Sequence, residues 1–308
     1  GGFIGSEENL SHTGDAWVLE NAMVSGDARV VGNALVRGKA KVLENARVSG
    51  NAMVSGNAKV SGDALVCGNA KIKGNAWVCE DAEVYGDAKV SGRAWVSENA
   101  QVFGDAQICG DTWVFGDAMV SGNAHVFGDT RVYGDALVYG NAQVSGEARL
   151  SGNAQVSGNA KVFEDAWVYG NAWVCEDAEV YGDAEVLGNA RVYGNAKVSE
   201  NAKVYGNAWV SENAQVFGDA QICGDARVYG DAKVCGDAHV FGDARVYGDA
   251  LVYGNAQVCE DAEVCGDAEV LGNARVFGNT MVSGDAEIKG SIEIESNLDF
   301  ISFYGPRH

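Results

Sequence analysis

Between Gly14 and Glu295 the apolar side chains recur with two superimposed periods, two residues within a unit and six from unit to unit. The stretch divides into 47 hexads with no insertion or deletion. Gly50-Asn51-Ala52-Met53-Val54-Ser55 and Gly248-Asp249-Ala250-Leu251-Val252-Tyr253 are typical. Position one is Gly or, less often, Glu, and position two is Asn or Asp in 43 of the 47 units. Position three is Ala except at Thr112, Thr130, Thr280 and Ile292. Position five is Val apart from Ile72, Ile108, Leu150, Ile222, Ile288 and Ile294, while positions four and six vary freely.

A period of six cannot line one face of an α-helix, which needs 3.6 residues per turn. Gly with Asn or Asp every six residues would also break any helix. Positions three and five alternate with four and six, which is the strand period. Ala-x-Val-x is therefore predicted to be a short strand with Ala and Val pointing inward. Gly-Asn or Gly-Asp is the corner, because these residues tolerate positive φ. Three such edges close a coil of 18 residues, and each coil pairs in parallel with the next. The predicted fold is all-β, a single-stranded parallel β-helix (β-solenoid) of roughly 16 coils and about 75 Å at ~4.8 Å per strand spacing. Its domains are an N-terminal cap at 1–13, the repeat at 14–295, and a C-terminal cap or start of a further segment at 296–308. The terminal segments carry Phe3, Ile4, Leu10, Phe300, Ile301, Phe303 and Tyr304 out of phase with the hexads, and open solenoid ends need covering.

Charge narrows the partners. A net charge of −21 disfavours nucleic acid and anionic membrane surfaces, both polyanions. No apolar run approaches the roughly 18 residues of a bilayer span, so no membrane insertion is expected. No signal peptide is visible, although the chain begins Gly1-Gly2 without Met. The eight Cys (67, 79, 109, 175, 223, 235, 259, 265) all occupy position six, and no two are 18 residues apart. Stacked disulfides are thus not expected, which leans towards a reducing, cytoplasmic compartment.

The pattern resembles the bacterial hexapeptide-repeat superfamily of left-handed β-helices, in which an aliphatic residue is followed four positions later by a small one, as in Val54 to Ala58. The resemblance covers 14–295 and implies left-handed winding. That superfamily includes acyltransferases, sugar-nucleotide enzymes and γ-class carbonic anhydrases. The uniform Gly-Asn-Ala phrasing is most similar to its poorly characterised, transferase-like members. One departure is that Ser, Tyr, Phe or Cys directly follows the aliphatic residue, with Gly one place later. The resemblance also implies a catalytic His, an extruded loop and acyl donors held between the subunits of a trimer. Of the four His, His125 and His239 sit at outward position four of near-identical segments with no loop nearby, and His12 and His308 lie in the terminal segments. Solvent-facing filler is the preferred reading. No CxxC, P-loop or GxSxG motif is present, and no catalytic residue, cofactor or metal is assigned.

Internal duplications bear on function. Glu98–Gln107 recurs at Glu212–Gln221, and Gly74–Ala88 recurs from Gly170, at offsets of 19 and 16 hexads. Neither offset is a multiple of three, so each copy is expected on a different face of the triangular coil from its parent. A single flat recognition face for ice, mineral or glycan would be scrambled by this growth. One stripe remains a candidate binding surface. Position four at 18-residue intervals reads Lys41, Lys59, Trp77, Trp95, Trp113, Arg131, Arg149 and Trp167. Such a ladder can stack on sugar rings, dock a partner through cation–π contacts, or simply brace adjacent coils. The corner stack Asp231, Asp249, Asp267 and Asp285 is a weak Ca²⁺ candidate, beside Asp225, Asp243 and Asp261 on another corner. Each corner offers few ligands, and solvated acid is the simpler reading. The favoured function is a non-catalytic structural or interaction rod, a scaffold, spacer or appendage component whose partner is itself or another protein. A hexapeptide-type acyltransferase and a carbohydrate-binding solenoid, with glycan as partner, are the alternatives.

Overall fold

The computed structural model describes residues 1–11 and 13–295. The expected C-terminal cap, His12 and His308 lie outside the described residues. The chain forms two units, Gly1–Asn153 and Ala154–His308. Each is an all-β solenoid of three parallel sheets, with nine, seven and eight strands in the first unit and eight in every sheet of the second. Partners in register lie 18 residues apart, as in Arg47↔Leu65, Leu65↔Glu83 and Trp173↔Arg191. The described chain winds through about 16 turns.

The regular ladder is shorter than the four residues expected. Most strands span only positions four and five, such as Met53–Val54. The backbone bonds nevertheless continue on either side. Asn51, Met53 and Ser55 donate to the carbonyls of Gly68, Ala70 and Ile72 at 2.7, 2.9 and 2.9 Å. At some corners the position-three N–H turns back within its own coil, as Ala52 does to the Ser49 carbonyl at 3.4 Å.

Position one adopts positive φ at every corner, with Gly50 at 68°. A Cβ on Gly50 would lie 2.8 Å from the Gly68 carbonyl oxygen, so both the conformation and the approach of the next coil favour glycine. Inside the coils, the Ala and Val ladders have no exposure from Ala22 to Val276. Where Thr replaces Ala, its buried hydroxyl is satisfied locally. Thr112, Thr130 and Thr280 donate to the carbonyls of Cys109, Phe127 and Phe277 at 2.6–2.7 Å.

The N-terminal residues join this ladder with a 20-residue offset, Phe3–Ile4 against Met23–Val24 and Leu10 against Val30. Asn9 is buried there and donates to the carbonyls of Gly26 and Ala28 at 2.8 and 2.9 Å. Its Oδ1 accepts the Ser6 amide at 2.7 Å. One side chain thus occupies two carbonyls that the extra two residues take out of register. Among the described residues no helix is long and apolar enough to cross a membrane.

Candidate functional site

With the interior filled by Ala and Val, chemistry is confined to outward positions four and six and the corners. At position four the first unit aligns Lys41, Lys59, Trp77, Trp95, Trp113, Arg131 and Arg149 in one sheet, each paired with the next. Trp167 belongs to the second unit, where it pairs with Glu185 and tilts at 45° against Tyr169. Trp77 and Trp95 stack with ring centroids 4.9 Å apart and planes at 12°. The Lys59 ammonium lies 4.2 Å from the Trp77 centroid. Trp113 is tilted 51° from Trp95 at 5.3 Å, with the Arg131 guanidinium 5.7 Å from its ring. The faces of Trp77 and much of Trp95 are therefore taken up by neighbouring coils. What Trp77 and Trp95 present outward is mainly ring edges, a poor platform for stacking sugar rings.

Position six is less free than the hexad pattern implies. Trp77 Nε1–H donates to Ser61 Oγ at 3.3 Å, and Trp95 Nε1–H donates to Cys79 Sγ at 3.1 Å. Each indole leans over the position-six residue of the preceding coil, and Ser61 and Cys79 are buried, as are the small position-six residues Ser97, Ser199 and Cys259. Where position six is aromatic it forms stacks of its own. Tyr85–Phe103, Phe115–Tyr133, Phe163–Tyr181 and Tyr229–Tyr247 all lie at 4.9–5.0 Å and within 4° of parallel.

The second unit holds a further ladder absent from the sequence reading, Trp173, Arg191, Trp209 and Arg227 at position four. Arg191 lies 5.6 Å from Trp173 and 5.3 Å from Trp209, and Arg227 lies 4.8 Å from Trp209. The signal was available, because the 18-residue count that links Trp77 to Trp95 finds this set in another phase. The duplicated segments do fall in different sheets, Trp77 in the 17-stranded one and its copy Trp173 in the 15-stranded one. Trp77 is flanked by Lys59 and Trp95, whereas its copy Trp173 lies between Gln155 and Arg191.

The corners carry two more ladders. Position-two Asn side chains donate to the next coil's Asn or Asp, as in Asn33 to Asn51 to Asn69 to Asp87 at 3.0–3.1 Å. All nine position-one Glu residues have φ between 58° and 63°. Most of them turn their carboxylate onto the position-one amide of the following coil. Glu164, Glu176, Glu200 and Glu212 accept from Gly182, Gly194, Gly218 and Gly230 at 2.8–2.9 Å. The charge-assisted bond offsets the cost of a non-glycine residue in this conformation.

The remaining candidates stand apart. Asp231, Asp249, Asp267 and Asp285 are exposed, and among the described residues no group of three or more His, Cys, Asp or Glu could hold a metal ion. His125 is exposed between Gln107 and Gln143, and His239 is half-buried between Gln221 and Gln257. All eight Cys are free thiols. Burial pushes Cys67, Cys79, Cys109, Cys175, Cys235 and Cys259 up, away from the thiolate that nucleophilic chemistry needs. Ion pairs are mostly coil-to-coil. Glu179 bridges Lys161 and Lys197 at 3.0 Å each. Partial burial works against its charge, but the two ammonium groups hold its carboxyl below the usual range.

The comparisons agree with this geometry. Five stretches, residues 46–62, 131–146, 154–176, 220–236 and 244–260, match the family model of the YdcK β-solenoid repeat. No curated protein matches the chain. The chain is a parallel β-helix repeat protein, similar across those five stretches to the YdcK β-solenoid repeat.

Proposed function

We propose that this protein is a non-catalytic structural and interaction element, a scaffold or spacer of the left-handed hexapeptide-repeat kind whose outer surface meets another protein or a second copy of itself. One observation carries the reading: many of its polar and aromatic outer side chains are engaged with the next coil. Glu carboxylates bond backbone amides, Asn amides bond one another, and Trp, Tyr and Phe rings stack or hold cations. Groups spent in this way stiffen the solenoid and are not poised for reaction. The uninterrupted hexads point the same way, since a catalytic cleft in such folds is built from an extruded loop or a neighbouring subunit.

The test combines light scattering with calorimetric titration of acetyl-CoA. A monomer or a concentration-dependent self-assembly without acetyl-CoA heat supports the reading. A compact trimer that binds acetyl-CoA and transfers acetyl groups, with transfer abolished by His125→Ala or His239→Ala, would overturn it in favour of an acyltransferase.

A further inference from the structure

The Trp stripe contains one place where its own rule breaks. Trp77 and Trp95 each lean back to donate their indole N–H to the position-six residue of the coil before, Ser61 and Cys79. By the same rule Trp113 should cover Ser97. Its ring is instead tilted 51° away from Trp95, it is 44% exposed, and it makes no such bond to Ser97. Ser97 is buried all the same, and beside it lies a slot of about 230 Å³ lined by Glu80, Trp95, Ser97, Glu98, Trp113 and Phe115.

The walls follow from the hexad. Position four supplies the Trp95 and Trp113 wall, the corner supplies Glu80 and Glu98 opposite, and small Ser97 at position six is the floor. One coil on, position six is Phe115, which closes the end of the slot and is itself held by stacking on Tyr133 at 5.0 Å. Glu80 is fixed by accepting the Glu98 amide through Oε2 at 2.8 Å. The Glu98 carboxylate, unlike those of Glu80, Glu164 and Glu212, receives no bond from the following position-one amide. Lys59 is engaged over Trp77 and Arg131 over Trp113, and neither lines the slot. The slot therefore combines aromatic rings on one side with two carboxylates on the other.

We propose that this slot binds a small alkylammonium cation, with the Trp113 and Phe115 rings against its alkyl shell and the Glu98 and Glu80 carboxylates facing its charge. Aromatic rings attract a cation through their quadrupole, and a quaternary ammonium is weakly hydrated enough to sit between them. The carboxylates add attraction that a neutral ligand would not feel. The slot is smaller than the roughly 300–1,000 Å³ of pockets for drug-sized ligands, which suits a headgroup better than a run of sugar rings. This assignment does not depend on the scaffold reading, because an inert spacer and an enzyme could each carry it.

The probe is choline, followed through intrinsic Trp fluorescence and compared with its neutral isostere 3,3-dimethylbutan-1-ol and with a soluble β-glucan oligosaccharide. Saturable quenching by choline alone is expected. It should be abolished in Trp113→Leu and weakened about fivefold in Glu98→Gln, while Trp209→Leu leaves it intact. Circular dichroism melts of the variants confirm that the fold survives. Phosphatidylcholine vesicles separate the sources of the cation: Trp113-dependent retention points to a lipid headgroup, and choline binding without retention points to a free molecule. An equal response to the neutral isostere, a response to the oligosaccharide only, or no response to any probe overturns the proposal.

Discussion

Position-one Glu residues offer a sharp test of how the corners are held, and Glu212 shows the reasoning. Its φ is 60°, a conformation costing roughly 1–2 kcal/mol for any residue with a Cβ. Its carboxylate Oε2 accepts the Gly230 amide at 2.8 Å. A hydrogen bond to a charged group contributes about 1.5–3 kcal/mol, and the exposed setting places this one near the lower end. Glu212→Ala keeps the Cβ and its conformational cost but loses the bond, so it should destabilise by about 1.5 kcal/mol. Glu212→Gly loses the bond and the conformational cost together and should come within about 0.5 kcal/mol of the parent. Glu212→Gln retains a neutral acceptor and should fall between them. Thermal melts give the order, and amide exchange at Gly230 gives a local reading, with roughly tenfold faster exchange expected in Glu212→Ala at 1.4 kcal/mol per decade. A Gly variant as unstable as the Ala variant, or Gly230 exchange that does not respond, would rule out this balance of conformational cost and hydrogen bond. It also accounts for the choice at position one, where Gly avoids the conformational cost and Glu compensates for it.

Two further predictions concern the core and the ion pairs. Val144→Asp places an unpaired carboxylate at a site with no exposure and should cost about 4 kcal/mol or more. Gln143→Asp, on the exposed neighbour, should stay within about 0.5 kcal/mol; comparable unfolding midpoints would refute the inward assignment of position five. Glu179 is held below its ordinary carboxylate range, so its pairing stabilises the fold above the unfolded carboxylate pKa and is lost as pH falls through the lowered folded value. The melting difference between the parent and Glu179→Gln should therefore shrink from pH 7 towards pH 3, and a difference that is constant with pH would dispose of the linkage.

The architecture was legible because one arithmetic governs it. A six-residue edge that alternates inward and outward and turns at a Gly-Asn corner leaves little freedom except the closure of the coil. Ala52, Val54 and their counterparts are buried as the alternation requires, and Trp77, Trp95 and Trp113 align because they are 18 residues apart. The free state of all eight thiols followed from the same spacing. What the count does not contain is direction within the outer layer. It puts three Trp residues in a column but does not reveal that two stack at 12° while the third turns through 51°. It treats position six as open, whereas indole N–H groups reach back to Ser61 and Cys79 and small residues there are buried. It reads Glu at position one as a polar substitute for Gly, whereas the next coil's amide is what makes a positive φ tolerable there. Periodicity is a property of the backbone and is written in every hexad. Ring tilt, side-chain reach and the slot beside Ser97 depend on which side chains occupy the coils above and below, and only the stacked structure brings those neighbours together.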